Sequence, residues 1–398
     1  MIARLLALLW LTCVAFSAAA EEGQFALSER CPPSFEKSEG VCKLRTLYEF
    51  YSSVQGHGLG GTQTSLPDHR DGFTPAQIDL GRYLFFDPVL SGDGSLSCAS
   101  CHHPQKGFSD NRARSVGIGG QQVSRAAPTL WNVAFLDTFF WDAHASTLEE
   151  QAQGPLYAAV EMGNTPAQLL ETLQSIEAYE TLFREAFPDA DGVQLDDVYT
   201  ALTAFQTSLI SLNSRYDRYA HGHHDALSPE EIEGLNIFRS FVARCAECHT
   251  PPLFTNQQVA VIGAPEPPGL PFDPGAEAVF NAKKLRGGFK VPTLRNIAQT
   301  GPYMHSGLFD NLRDTAAFYN GGRGHAVPEG EDLHLHWHIT SPELTDYELD
   351  RLVDFLGALT DESLTPAVPA HVPSGLMPIG PGENGRVAST NDTPGESS

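Results

Sequence analysis

The sequence predicts a mainly α-helical protein in which one unit occurs twice in tandem. Helix is signalled by proline-initiated caps ahead of apolar stripes, in a chain with few strand signals. Duplication is signalled by Cys98-Ala99-Ser100-Cys101-His102 and Cys245-Ala246-Glu247-Cys248-His249. Each is followed by a related segment, Ala127-Pro128-Thr129-Leu130-Trp131-Asn132 and Val291-Pro292-Thr293-Leu294-Arg295-Asn296. Aligning Asn132 with Asn296 also aligns Leu148 with Leu312 without a gap, so the repeat extends beyond the motifs. A chain of 398 residues, 41% hydrophobic, is long enough for two or three domains with real cores.

The elements follow in chain order. Residues 1–20 read as a secretory signal peptide: Arg4 is the positive flank, Leu5 to Phe16 the apolar run, and Ser17-Ala18-Ala19-Ala20 the cleavage site. The mature chain then starts at Glu21, in the periplasm. Cys13 fits a lipoprotein anchor poorly, because Thr12 precedes it. Past the signal there is no run of about eighteen apolar residues, so no membrane span is expected. Residues 21–67 form an N-terminal extension in which Cys31 and Cys42 are either a disulfide, as an oxidising compartment favours, or free thiols. Thr74-Pro75 caps a helix over Ala76 to Phe85, and Ser228-Pro229-Glu230-Glu231 caps another with Ile232, Leu235 and Phe238 on one face. Similar stripes predict helices over 166–173, 195–212 and 346–359. Gly263 to Gly275 is a Pro-rich loop, and 366–398 a disordered tail rich in Pro, Gly, Ser and Asn.

The balance of 25 Lys+Arg against 49 Asp+Glu, a net charge of −24, excludes a nucleic-acid or anionic-membrane partner, which needs clustered positive charge. The motif pair says more. In CxxCH two thiols bond to porphyrin vinyl groups and the adjacent imidazole reaches the iron, the pattern of c-type haem attachment. Zinc would want four Cys/His ligands per site, and a redox CxxC pair does not need His after both copies. Two c-type haems are therefore expected, with His102 and His249 as axial ligands. The gap-free alignment sets Trp141 opposite His305, so the two surroundings differ and the two haems suit different jobs.

With these motifs placed, the chain resembles the bacterial di-haem cytochrome c peroxidase and MauG family over residues 68 to 365. The resemblance rests on LGRYLFFDPVLS at 80–91, SCASCH at 97–102, APTLWN, FFWD at 139–142, LEEQAQGPL at 148–156, EMGN at 161–164, VPTLRN and GPYMHSG at 301–307. It implies two cytochrome c-like haem domains in tandem, a peroxidatic one over 68–222 and an electron-transfer one over 223–365. It also implies Glu161 and Gln151 in the distal pocket of the His102 haem, with Trp141 between the haems. A carboxylate beside an open iron position suits peroxide cleavage, because a proton must move from the inner to the leaving oxygen.

Several positions depart from the family pattern. Where many members carry a removable distal His, this chain has Ile118, so the first haem is expected to be open. Where peroxidases carry a Met ligand to the second haem it has Tyr319, as MauG-like members do, with Met304 and His305 as rival ligands. A phenolate lowers the potential of the iron it binds and a thioether raises it. WDGR becomes Trp141-Asp142-Ala143-His144, and the surface Trp that MauG-like enzymes place two residues before the second motif is Ala243. For the family's calcium ion Thr300 and Pro302 match, but the Asn ligand is Ala126, which makes the ion weaker or water-supported. His334, His336 and His338 belong to neither precedent; on a strand they share one face and could bind Zn or Cu.

Three functions compete. The first is a peroxidase that reduces hydrogen peroxide with electrons from a small cytochrome c or cupredoxin. In the second, a MauG-like enzyme uses peroxide to oxidise Tyr or Trp in a protein substrate. A di-haem electron carrier is the third. A homodimer is compatible with all of them.

Overall fold

A computed structural model describes residues 25–50, 66–322, 327, 329–364 and 366–379. The expected signal peptide and the end of the tail lie outside these residues. Helices dominate; among the described residues the strands form two antiparallel pairs. Strands β1 (Phe35–Ser38) and β2 (Val41–Leu44) make a hairpin with Phe35 opposite Leu44. Cys31 and Cys42 are joined in a disulfide at its base. Cys42 is buried and packs beside Ile78 and Ala204, which ties the extension to the helical body.

One helix pair frames each half. Helix α1 (Pro75–Phe86) starts in a full capping box between Thr74 and Gln77 and leads to the single-turn helix α2 (Cys98–Cys101). Beyond α3 (Leu148–Tyr157), α4 (Pro166–Gln174) and α5 (Glu177–Ala186), helix α6 (Leu195–Thr207) crosses α1. At that crossing a Cβ added to Gly81 would lie 1.8 Å from the Ala201 carbonyl, so the backbones touch and only glycine fits. The short α7 (Arg215–Ala220) leads to the second half. There α8 (Pro229–Phe238), again boxed by Ser228 and Glu231, precedes α9 (Cys245–Cys248). After β3 (Val259–Val261), α10 (Ala276–Phe280), β4 (Gly288–Lys290) and α11 (Leu312–Asn320), helix α12 (Asp346–Gly357) crosses α8. Gly234 repeats the device, 2.0 Å from the Arg351 carbonyl.

Each pair buries its own core. The first gathers Leu84, Phe85, Phe108, Leu202 and Phe205; the second gathers Phe238, Phe254, Leu352 and Phe355. Each such side chain contributes roughly 1.5–3 kcal/mol on burial.

Helix α6 stops at Thr207 rather than 212, because Asn132 takes over the backbone that follows. Its N–H donates to Leu209, its Oδ1 accepts from the Ser211 N–H and its Nδ2 donates to the Ser211 carbonyl. Asn296 does the same after α12, donating to Leu359 and accepting from the Asp361 N–H. Both asparagines sit at positive φ, 63° and 56°, which explains why this residue type stands in both copies.

Residues 366–379 depart from the expected disorder. Val372 is buried in the first core, and Ser374 bonds the buried Asp87 through both its N–H and its hydroxyl. Apolar side chains within the Pro-rich composition are enough to dock this stretch.

Candidate haem-binding and catalytic site

The two motif turns present their side chains in the same way. The N–H of His102 donates to Cys98 at 2.9 Å and that of His249 to Cys245 at 2.8 Å. Nδ1 of His102 bonds the Phe108 carbonyl at 3.0 Å, and Nδ1 of His249 bonds the carbonyls of Phe254 and Pro292. A carbonyl only accepts, so Nδ1 carries the proton and Nε2 keeps its lone pair for a metal. Burial holds both imidazoles below their ordinary range, His249 down to about 4, and they are neutral at pH 7.

One cavity of about 580 Å³ is lined by all four motif cysteines, both histidines and Trp141. Leu148, Leu156 and Met162 wall its first end, and Leu312, Leu352 and Leu356 its second. Paired thiols, an imidazole with a free Nε2 and apolar walls occur at both ends, and this donor set fits one haem at each.

At the first end one wall comes from α3 and the turn after it. The Thr147 side chain caps α3, and Gln151 and Pro155 line the cavity one turn apart. Glu161 lines it too, on a turn held by three backbone bonds: Ile118 N–H to Glu161, Gly92 N–H to Met162, and Met162 N–H to Pro155. Burial raises the Glu161 carboxyl above its ordinary range. Ile118 does not line the cavity. Its side chain packs at Gly163, where an added Cβ would come within 2.4 Å of Cδ1, so the position that could hold a distal His holds the Glu161 turn.

At the second end Tyr319, on α11, lines the cavity near Cys245 and Cys248, and burial raises its phenol. Met304 lines the cavity as well. His305 is otherwise engaged: Nε2 lies 2.9 Å from Glu266 and the ring stacks on Phe289 at 3.8 Å.

Trp141 lines the same cavity and touches residues of both halves. Its Nε1 donates to the Ala126 carbonyl at 2.9 Å, and its ring meets His305, its counterpart in the other copy, at 6.5 Å. The turn bearing Trp141 is clamped by residues that sequence reasoning missed. Arg125 bonds Asp142 in its own half and Asp273 in the other, while Lys290 donates its N–H to Trp141 and its Nζ to Thr138. Burial lowers the Lys290 ammonium to about 8. An Arg two residues ahead of APTLWN and a Lys just before VPTLRN were the only signals in the sequence. In the altered WDAH segment, His144 bonds Asp142 and stacks on Phe140 at 4.0 Å.

Two expectations change. The calcium ligands are incomplete: Ala126 has no donor side chain and its carbonyl serves Trp141, while Asn111 Nδ2 bonds the carbonyls flanking Thr300, those of Gln299 and Gly301. Thr300 and Pro302 alone do not fit the ion. The segment with His334, His336 and His338 is not a strand, because it turns at Trp337 and His338. His334 is exposed, whereas the ligand atoms of His336, His338 and Cys248 lie within 4.8 Å of one another.

Known proteins resemble the chain throughout this region. The family model for di-haem cytochrome c peroxidase matches residues 75–225. The methylamine utilization protein MauG of Methylorubrum extorquens is 35% identical over 296 residues, 74% of this chain and 81% of that protein. Cytochrome c551 peroxidase of Pseudomonas aeruginosa is 38% identical over 246 residues, 61% of this chain and 70% of that protein. Among solved structures, a MauG-like protein associated with microbial copper homeostasis superposes with a TM-score of 0.69 at 30% identity, over 78% of this chain and 96% of that one. The diheme peroxidase BthA of Burkholderia thailandensis superposes with a TM-score of 0.64 at 26% identity, over 90% and 100%.

Proposed function

Because the chain belongs to the di-haem cytochrome c peroxidase and MauG family and is a haem peroxidase, an oxidoreductase, we propose that it is an exported enzyme that reduces hydrogen peroxide with electrons from a small cytochrome c or cupredoxin. In this reading two cytochrome c-like domains, 68–222 and 223–365, follow a cleaved signal peptide. Cys98 and Cys101 would hold the peroxidatic haem through thioether bonds, with His102 binding its iron; Cys245, Cys248 and His249 would do the same for the electron-transfer haem.

Haem iron supplies the redox chemistry that breaks the O–O bond. Residues of the chain handle protons and position. Glu161 takes the proton from the inner oxygen and returns it to the leaving oxygen, and its desolvated carboxyl suits the second half of that task. Gln151 orients the bound peroxide with its amide. Trp141 carries charge between the two ends, and Arg125 and Lys290 hold its turn. A calcium ion on Thr300 and Pro302 would need water for its remaining ligands, because Ala126 offers no side-chain donor.

The observation that supports this reading best is the half-buried Glu161, which lines the same cavity as Pro155, a residue that cannot ligate iron. The test is electron paramagnetic resonance of the ferric protein before and after one equivalent of peroxide. A high-spin signal that peroxide removes is expected; two low-spin haems indifferent to peroxide would leave only the electron-carrier reading.

Tyr319 favours a second reading, in which the oxidising power is spent on Tyr or Trp of a partner protein, as in MauG-like enzymes. Ala243 counts against it by removing the surface Trp before the second motif. Mass spectrometry of candidate partners after peroxide treatment separates the two.

A further inference from the structure

We propose that Trp337, acting through His338, is where electrons enter the second haem from a docked cationic redox protein; this rests on the di-haem peroxidase reading above. The segment bearing Trp337 is fixed to the second half by the His336 N–H, which donates to Val261 at 2.8 Å, and turns there through an Ile339 to His336 bond. His338 lines the cavity, and its Nδ1 is 3.9 Å from Sγ of Cys248, the sulfur that would bond the porphyrin. The rings of His338 and Trp337 are 3.6 Å apart between centroids. Trp337 is 60% exposed. A continuous contact path therefore runs from a haem-attaching sulfur to solvent and ends in a polarisable aromatic ring.

The surface around that ring is suited to a partner. Arg244 covers the Trp337 ring at 4.8 Å while pairing with Glu247, which fixes the indole at the surface without adding net charge. Phe241 is 92% exposed and Val242 57%, on the turn leading to Arg244. Exposed apolar groups gathered beside a cofactor mark an interaction site more than scattered ones do. Charge identifies the occupant. From 329 to 348 the chain carries six carboxylates and no Lys or Arg. Arg286 offsets Glu331 and Arg313 offsets Asp346. The four others, Glu329, Asp332, Glu343 and Glu348, leave the segment negative in a chain of net charge −24, so a lysine-rich partner is attracted and an acidic one repelled. Reading Cys248, His336 and His338 as a separate metal site fails on its own chemistry, because a sulfur committed to a thioether is no longer a thiolate ligand. In turnover two ferrous donors each give one electron in succession and become ferric; with two protons these reduce one peroxide to two waters.

The test uses the haem-loaded protein and a lysine-rich cytochrome c at low ionic strength. Calorimetric titration with the ferric cytochrome reads binding, and stopped-flow spectroscopy with the ferrous form reads reduction of the second haem. Trp337→Ala should weaken binding about tenfold or more, as truncation of a central aromatic anchor does, and slow reduction at least as much. Trp337→Phe should recover most of the binding. Phe280→Ala, which removes an exposed ring elsewhere (51%), should match the parent. Equal binding and reduction in Trp337→Ala and parent would overturn the assignment while leaving the peroxidase reading intact, and a parent that does not bind the cytochrome would overturn it as well. Binding that depends on Trp337 in a protein inert to peroxide would sustain the docking site and remove the peroxidase reading.

Discussion

In the half built around His102, Pro155 occupies the α3 position that Tyr319 occupies on α11 in the half built around His249. The spacing of 164 residues that pairs Asn132 with Asn296 pairs these two as well, and the helices start at matching caps, Thr147 and Asn311. Around them the halves agree in detail: Gly81 and Gly234 at the helix crossings, Asn132 and Asn296 at positive φ, and bridges Phe139 to Ala145 and Tyr303 to Phe309. The copies part where side chains face the cavity. A proline with no ligating atom lines one end and a phenol the other, so one frame carries two different side-chain chemistries. The copies also part in how they fill the space beside the proximal turn. Trp131 packs edge-on against Phe108 at 5.0 Å; its counterpart Arg295 lies 5.3 Å from Phe254 and forms a fully buried pair with Asp217. Apolar packing tolerates substitution better than a buried charge does.

That second contrast yields the largest expected effect. Replacing Arg295 by Met strands Asp217 in the core and should lower unfolding free energy by about 3–5 kcal/mol, whereas Trp131→Phe, which leaves no charge unpaired, should cost less. Urea denaturation of both variants is the measurement. Burial alone would raise the Asp217 carboxyl, but the Arg295 guanidinium outweighs it and holds the group below its ordinary value. The pair's contribution is therefore complete above roughly pH 3.9 and lost as pH falls through the depressed folded value. The variant should lose that acid limb.

Glu161→Gln should slow peroxide consumption about a hundredfold while both haems stay attached, the usual scale of a lost acid–base group. Because burial raises this carboxyl, the parent's rate should fall on acidification at a pH above the ordinary Glu range near 4.3, and the fall should vanish in the variant. Normal turnover in Glu161→Gln would take the carboxylate out of the mechanism.

Exchanging the paired positions tests the comparison directly. Tyr319→Met should raise the second haem's potential, and Tyr319→Phe should free a coordination position there or recruit Met304. Pro155→Tyr should make the first haem low-spin and slow its reaction with peroxide. Redox titration with optical spectra reads all three, and unchanged second-haem bands in both Tyr319 variants would mean that its phenol is only packing. The smallest effect expected is a several-fold fall in the association rate of a basic donor between low and physiological salt, from a protein of net charge −24.

The sequence by itself determined the haem-binding motifs, the duplication, the helix starts and the absence of a distal imidazole at Ile118. These rest on short-range chemistry: a thiol spacing, a cap, a residue type with or without a ligand atom. The pairing of Pro155 with Tyr319 was also legible, by extending the gap-free alignment two turns past Leu148. Only the tertiary structure decided the rest. The end of α6 at Thr207 depends on Asn132, 75 residues earlier. Docking of residues 366–379 depends on Asp87, and the Trp141 turn is set by Arg125 reaching Asp273 across the interface. The alternation of His334, His336 and His338 suggested a strand, yet a turn carries two of these rings to Cys248 and leaves the third in solvent. Spacing encodes what a residue does within one turn of chain; contacts made across the fold depend on which backbone groups still lack a partner once the helices have formed.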